Sequence, residues 1–349
     1  MNAAQDSGST RASNAPTPTA TAASEYDVLR VADLSLTVGR RDERRPLLDG
    51  VTLAVRAGET VGLVGESGSG KSLTCRAALG LFPPGAEVTG SVRVDGKEVV
   101  GASARDVLGI RRGQAAMVFQ DPRASINPVR RIGDFLVEGV RAAGLPRPTA
   151  RDRARRLLGE VGIGAPEAAL RRYPHEFSGG MLQRVMIAAT LMTEPRLLLA
   201  DEATTALDVT TQAEVLALLR RVQRDHGTGT LLVTHDLDLA AATCDRVYVM
   251  YAGRIVESAT SADLFDRARH PYSQGLFASS PSVRGPRSDP RPIPGRPLAL
   301  VDAPGHCAFA DRCQVHVDQC RTEVPRLRTI GTVGEAQVAC HVAQSEERL

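Results

Sequence analysis

The chain has 349 residues, 42% hydrophobic and 24% charged, with a formal net charge of +3. That length can hold two domains with sizeable cores, and so small a charge excludes the strong positive field that nucleic-acid binding requires. No apolar run reaches the roughly 18 residues of a membrane span, and the N-terminus lacks the basic-then-apolar order of a signal peptide, so a cytosolic location is expected. In that compartment the six cysteines read as metal ligands or core residues rather than disulfides.

Residues 1–25 are rich in Ala, Thr, Ser, Asn and Pro and hold too little apolar mass to offset ordering entropy, which predicts a disordered tail. From Val28 to Val38 and again from Val51 to Val55 the pattern is β-type alternation. Val61-Gly62-Leu63-Val64 reads as a buried parallel strand. It runs into Gly65-Glu66-Ser67-Gly68-Ser69-Gly70-Lys71-Ser72 and then into helix-forming residues from Leu73. Strand, glycine loop and helix is the context of a phosphate-binding loop. The glycines let backbone N–H groups curl into a nest at a helix N-terminus, Lys71 supplies a point charge for the β and γ phosphates, and the Ser72 hydroxyl can ligate Mg²⁺. Of the 43 lysines and arginines only Lys71 and Lys97 are lysines, so the loop holds a lysine where the composition would supply arginine. A nucleoside triphosphate is therefore expected at 65–72.

Further strands are predicted at Ser91–Val94 and Ala115–Phe119. Beyond Gln120 the texture becomes helical and Arg-rich, which places a helical subdomain at about 121–190, broken at Gly144–Pro148 and Gly162–Pro166. Phe177-Ser178-Gly179-Gly180-Met181-Leu182-Gln183 leads into another helix. The strand Leu197–Ala200 ends in Asp201 and Glu202. A strand-end Asp is where a phosphate-loop enzyme holds Mg²⁺, and the adjacent Glu can polarise a water. The strand Thr230–Thr234 ends at His235, which can donate to a phosphate oxygen. Past about residue 275 the composition shifts. Residues 281–297 hold six prolines and four arginines and read as a linker. Cys307, Cys313, Cys320 and Cys340 follow in a segment too poor in large apolar residues for a core of its own, expected to stand apart from the core that carries 65–72. Four cysteines there suggest a thiolate-bound metal centre, although the C-x-x-C pairs of structural zinc sites are absent. Cys75 and Cys244 read as buried packing residues.

The loop at 65–72, Gln120, Ser178–Gln183, Asp201-Glu202, Ala206-Leu207-Asp208 and His235 fall in the order of an ATP-binding-cassette ATPase, which the chain resembles. Phe119–Pro128, Tyr173-Pro174-His175-Glu176, Thr204–Thr210 and His270-Pro271-Tyr272-Ser273 are similar to the ATP-binding subunits of oligopeptide/dipeptide, or peptide/nickel-type, importers, over about residues 28–341. The implied fold is α/β: a phosphate-loop NTPase with a parallel sheet core, an antiparallel β subdomain, a helical subdomain and a small Cys-rich C-terminal extension. The implied domains are a tail at 1–25, a cassette at 26–275 and a linker with Cys-containing region at 276–349.

The resemblance implies a head-to-tail dimer that sandwiches ATP, with Gly65, Glu66, Ser67, Gly68, Ser69, Gly70, Lys71 and Ser72 of one cassette facing Ser178, Gly179, Gly180 and Gln183 of the other. It implies Glu202 as general base, His235 on the γ-phosphate and Gln120 sensing Mg²⁺ or the attacking water. Ser72, Gln120 and Asp201 would hold Mg²⁺, and Asp208 would couple the two sites. Implied partners are two membrane permease subunits, a second ATPase subunit (a copy or a paralogue) and, indirectly, an extracytoplasmic solute-binding protein, with the chain peripheral on the cytoplasmic face of the membrane. For Cys307, Cys313, Cys320 and Cys340 the resemblance implies a [4Fe–4S] cluster, with zinc or free thiols as alternatives.

Departures from the family pattern are Val38, where an aromatic residue commonly stacks on adenine, Phe177 for leucine and Leu182 for arginine. Stacking worth about 1–3 kcal/mol is thus missing at Val38 or supplied by an arginine of the 40–45 cluster. None of the three removes a catalytic group. The alternative readings are a nucleic-acid-handling ATPase of the same superfamily, which would usually carry two cassettes or a coiled-coil insertion, and a metabolic kinase, which would lack the 178–180 signature.

Overall fold

The structure, a computed structural model, describes residues 26–39, 44–203, 208–279, 291–330 and 336–346. The predicted tail, Arg40 and Arg41, residues 204–207 and positions 281–290 of the predicted linker lie outside the described residues.

Two sheets form the scaffold. Strands β1 (Asp27–Val38) and β2 (Arg45–Arg56) pair antiparallel, and with β4 (Glu87–Val94) and β5 (Lys97–Glu98) they make one sheet in the order β2-β1-β4-β5. Their alternation buries Leu29, Val31, Leu34, Leu36, Leu53 and Val92 on one side, as expected for a half-solvated antiparallel sheet. The second sheet holds the phosphate-loop strand β3 (Thr60–Val64) at its centre, between β8 (Gly229–Val233) and β9 (Arg246–Tyr251). Beyond β8 come β7 (Leu197–Asp201) and β6 (Ala115–Val118), all in parallel. Every residue of β3, β7 and β8 is buried, because both faces of this sheet are covered. On one face Leu63, Leu199, Leu231 and Val233 meet the antiparallel sheet. On the other, Val64, Val118, Leu198 and Leu232 meet helices.

Helix α1 (Lys71–Ala77) leaves the phosphate loop, and α2 (Ala104–Gly113) precedes β6. Between β6 and β7 runs the helical region: α3 (Pro122–Ser125), α4 (Ile132–Ala142), α5 (Arg147–Glu160), α6 (Pro166–Ala169) and α7 (Gly179–Leu191). Helix α5 shows why an arginine-rich stretch folds here. It buries Ala150, Ala154, Leu157 and Leu158, one helical stripe, while Arg151 and Arg156 pair with Glu167 and Glu160 at the surface. Helix α7 begins earlier than its apolar pattern suggests, because the Ser178 hydroxyl caps it by accepting the Met181 N–H. Helices α8 (Val209–His226) and α9 (Leu237–Thr243) follow β7 and β8.

The C-terminal region departs from the sequence expectation. After β10 (Arg254–Thr260), α10 (Ser261–Arg267) and α11 (Pro271–Ser279), the chain returns to the main sheet. Strands β11 (Arg328–Thr329) and β12 (Gln337–Val338) extend that sheet past β10, in register Glu257 to Val338, and α12 (His341–Glu346) ends the described chain. Phe309, Ile330, Val338 and Cys340 belong to the same apolar core as Val64, Tyr251 and Tyr272. The expected separation from the core carrying 65–72 is thus corrected: a segment with few large apolar residues folds by borrowing the cassette's core and its sheet edge.

His270 clamps this junction. It is 2% exposed, its Nδ1 accepts the Tyr272 N–H at 3.0 Å, and its ring bonds the backbone of Ala339. Burial pushes its pKa down to about 4. The folded value lies below the ordinary one, so this stabilisation is complete above about pH 6.5 and is lost as pH falls towards 4. Between pH 7 and 5 the wild-type chain should lose about 2 kcal/mol more unfolding free energy than His270→Asn, read from denaturant titrations at the two pH values; equal losses would exclude His270 as the titrating group.

Candidate functional site

The loop 65–70 turns from β3 into α1 through backbone that side chains rarely adopt: Gly65, Gly68 and Gly70 lie at φ 149°, 81° and 105°. A Cβ on Gly65 would also collide with the Met250 carbonyl of β9. The loop is held from the neighbouring strand pair as well, because the Gly253 N–H donates to the Ser69 carbonyl at 2.9 Å. Lys71, 5% exposed, donates through Nζ to the carbonyls of Gly65 and Glu66, both at 2.8 Å. Burial pulls its pKa below the ordinary lysine value, while the carboxylates of Glu202, Asp201 and Glu66 pull the other way. The Ser69 hydroxyl is buried without a hydrogen-bond partner. A nest of glycines, a buried ammonium and an unused hydroxyl fit the oxygens of a triphosphate.

Two strand ends complete the site. The Ser72 hydroxyl donates to Asp201 Oδ1 at 2.8 Å across the sheet, and Arg76 Nη2 lies 3.5 Å from Asp201 Oδ2. A hydroxyl and a carboxylate in contact are the donor pair that Mg²⁺ takes in such sites. Glu202, with φ at 49°, holds a backbone conformation unusual for a non-glycine residue. Its side chain accepts from Gln120 Nε2 at 3.2 Å and lies 3.8 Å from His235 Nδ1. The ends of β6, β7 and β8 thus bring Gln120, Asp201, Glu202 and His235 beside Ser72, at the carboxyl ends of parallel strands.

Ser178, Gly179, Gly180 and Asp208 form a second group. Asp208 caps α8, accepting the Thr211 N–H at 3.0 Å and the Thr211 hydroxyl at 2.7 Å. A Cβ on Gly180 would meet Thr211 Cγ2 at 2.6 Å, so the two helix N-termini pack closely only because Gly180 is small. Gln183, expected with this signature, is 1% exposed, with neither amide atom hydrogen-bonded, and lies more than a turn along α7.

Arg312 and Tyr272 belong to the site's surroundings and were missed as contributors. Arg312 forms a bidentate pair with Glu66, Nη1 at 2.7 Å and Nη2 at 3.0 Å, and the Tyr272 hydroxyl accepts the Glu66 N–H at 2.8 Å. Tyr272 carried a signal in His270-Pro271-Tyr272-Ser273; Arg312 carried none. Val38 is half-buried at the end of β1 opposite Arg45, and Arg44 is paired with Glu87 at 2.8 Å.

Cys75 and Cys244 are buried. Cys307, Cys313, Cys320 and Cys340 share one neighbourhood: the Cys307 N–H donates to the Cys320 carbonyl, and burial, then the neighbouring cysteines, raise the Cys307 thiol to about 11. Among the described residues, however, no group of three or more His, Cys, Asp or Glu side chains is arranged to hold a metal ion. The expected [4Fe–4S] or zinc centre has no preformed cage.

Parallel strands with a phosphate loop, a strand-end Asp-Glu pair and a glycine-led signature helix define an ATP-binding cassette. A family model for the ABC transporter matches residues 48–205, and one for the oligopeptide/dipeptide transporter C-terminal region matches 256–320. The chain is 40% identical over 299 residues to the oligopeptide transport ATP-binding protein OppD of Salmonella typhimurium, covering 85% of this chain and 89% of that one. It is 44% identical over 289 residues to OppD of Haemophilus influenzae (80% and 89%) and 42% identical over 305 residues to AppD of Bacillus subtilis (86% and 93%). Among solved structures, cbiO1 from Clostridium perfringens, part of the ABC transporter complex cbiONQ, is similar with TM-score 0.61 and 28% identity over 70% of this chain and 92% of that one. A dimeric, post-hydrolysis structure of the ATP-binding cassette MJ0796 with ADP and Pi is similar at TM-score 0.59 and 26% identity (67% and 98%). The chain belongs to the family of oligopeptide/dipeptide ABC-transporter ATP-binding proteins. The nucleic-acid alternative finds no support among these relatives.

Gly65→Ala should cost about 1–3 kcal/mol from backbone strain alone, more with the Met250 collision, and should abolish ATP binding, measured by thermal melting and by equilibrium nucleotide titration; wild-type affinity would show that the loop tolerates a side chain there.

Proposed function

We propose that the chain is the ATP-hydrolysing subunit that powers uptake of oligopeptides or dipeptides across the cytoplasmic membrane. The observation that carries this reading is the joining of Ser72 to Asp201, with Glu202 between Gln120 and His235, beside an arginine-anchored phosphate loop. The loop amides and Lys71 bind the phosphates, Lys71 exchanging its contacts with the Gly65 and Glu66 carbonyls for phosphate oxygens. Ser72, Asp201 and Gln120 would hold Mg²⁺, which would supply charge neutralisation for the bound phosphates. Glu202 takes a proton from the attacking water and His235 steadies the γ-phosphate.

Hydrolysis needs a second cassette, which presents Ser178, Gly179 and Gly180 to the nucleotide, with Asp208 coupling the two sites. Gly179, beside which nothing of its own chain lies within 4 Å of an added Cβ, and the helix N-terminus that Ser178 caps support that role, because both permit close approach to phosphate. Two permease subunits hold the cassettes in register at the cytoplasmic face, and a solute-binding protein delivers the peptide from outside. No helix among the described residues is long and apolar enough to cross a membrane, in keeping with a peripheral subunit.

The C-terminal thiols are a finer proposal: Cys307, Cys313, Cys320 and Cys340 close around a [4Fe–4S] cluster, with zinc as the alternative. Its support is donor chemistry, four thiols gathered in one neighbourhood. Protein purified without oxygen should be brown, absorbing broadly near about 400 nm; colourless protein with one zinc per chain would replace iron by zinc, and metal-free protein with four titrating thiols would end both.

The catalytic reading is tested by Glu202→Gln. With permease present, the variant should bind ATP, accumulate as an ATP-bound dimer on size exclusion, and turn over about 10²–10⁴ times more slowly, as expected on loss of a general base. Near-normal hydrolysis would remove Glu202 from that role.

A further inference from the structure

The second residue of the phosphate loop, Glu66, is held by all three of its polar groups. Its carbonyl accepts from Lys71 Nζ, its N–H donates to the Tyr272 hydroxyl, and its carboxylate receives both Nη groups of Arg312. Arg312 lies 246 residues away in sequence, in a short helical turn, Ala310–Arg312, of the C-terminal region. Its side chain is 7% exposed. Its Nε donates to the Pro294 carbonyl at 2.7 Å, and its guanidinium lies 5.7 Å from the ring centres of Tyr251 and Phe309. This is a buried, bidentate and fully oriented ion pair, not a chance surface contact.

We infer that Arg312 is a positioning residue of the nucleotide site, through which the C-terminal region sets the cassette's affinity for ATP. The inference rests on the reading that 65–72 binds ATP and adds a control to it. A carboxylate in the loop that receives a triphosphate is a like charge, and without its partner it opposes nucleotide binding. Arg312 neutralises that charge and fixes the carboxylate through two hydrogen bonds. The same pair fixes the Glu66 backbone, whose carbonyl holds Lys71 until phosphate arrives. Arg312 is adjacent to Cys313, and its turn is anchored by Phe309 against Tyr251 and Tyr272. A displacement of this C-terminal turn therefore reaches Glu66 directly, with no conformational change required elsewhere in the cassette.

A double-mutant cycle on the full chain, read as equilibrium binding of a fluorescent ATP analogue rather than as turnover, tests this. Arg312→Ala should weaken binding by about 5- to 100-fold, the usual range for coupling between sites, and Arg312→Lys by less. In a Glu66→Gln background, where no charge remains to be held, Arg312→Ala should change affinity by no more than about twofold. A merely structural Arg312 would weaken both backgrounds equally. That result, or wild-type affinity in Arg312→Ala, overturns the inference. If Arg312→Ala does not fold, the same cycle with Arg312→Lys decides between the same outcomes. A wild-type chain that does not bind the analogue would instead overturn the ATP reading itself.

Discussion

The close approach of the phosphate loop to strand β9 is the constraint on which the site depends. Gly65 sits against the Met250 carbonyl with no room for a side chain, and Gly253, in the turn between β9 and β10, donates to Ser69. Inside the loop the Ser69 N–H meets the Glu66 carbonyl at 3.3 Å, and amides spent in this way are not available to phosphate. Further rigidity comes from β9 on one side, from the Lys71 ammonium, and from Tyr272 and Arg312.

The charge arrangement follows from the same need. Asp201, Glu202 and Glu66 place three carboxylates around a site built for an anion, and each is met differently. Asp201 faces Ser72 and Arg76, Glu202 faces Gln120 and His235, and Glu66 faces Arg312. In the proposed reaction Asp201 would help hold a divalent cation and Glu202 would act on the attacking water. Glu66 is paired with a buried arginine, which supplies the counter-charge for a carboxylate in that position.

The C-terminal region is stable for a reason its composition hides. Its own apolar residues are few, but Phe309, Val338 and Cys340 complete a core that the cassette has already built, and β12 caps the exposed edge of β10. The unprotonated His270 joins the two parts through its bond to the Ala339 backbone, and the buried Glu257 steadies it by accepting the Arg269 and His270 N–H groups.

The sequence by itself determined the local pieces. The loop 65–72 was legible because glycine spacing, a preceding apolar strand and a following helix are properties of consecutive residues. Asp201-Glu202 and His235 were legible because an apolar run ending in a polar group marks a strand end. The order of these pieces specified the cassette. What only the tertiary structure decided depends on contacts across long separations: Ser72 meeting Asp201, Gln120 meeting Glu202, and Gln183 turning inward because α7 packs that face into the core. Arg312 is the clearest case. One arginine among many, it differs from the rest only because the C-terminal turn, seated on Tyr251 and Tyr272, brings it to a carboxylate 246 residues away. No local pattern records such a pairing, since the physical cause is the shared core that carries both.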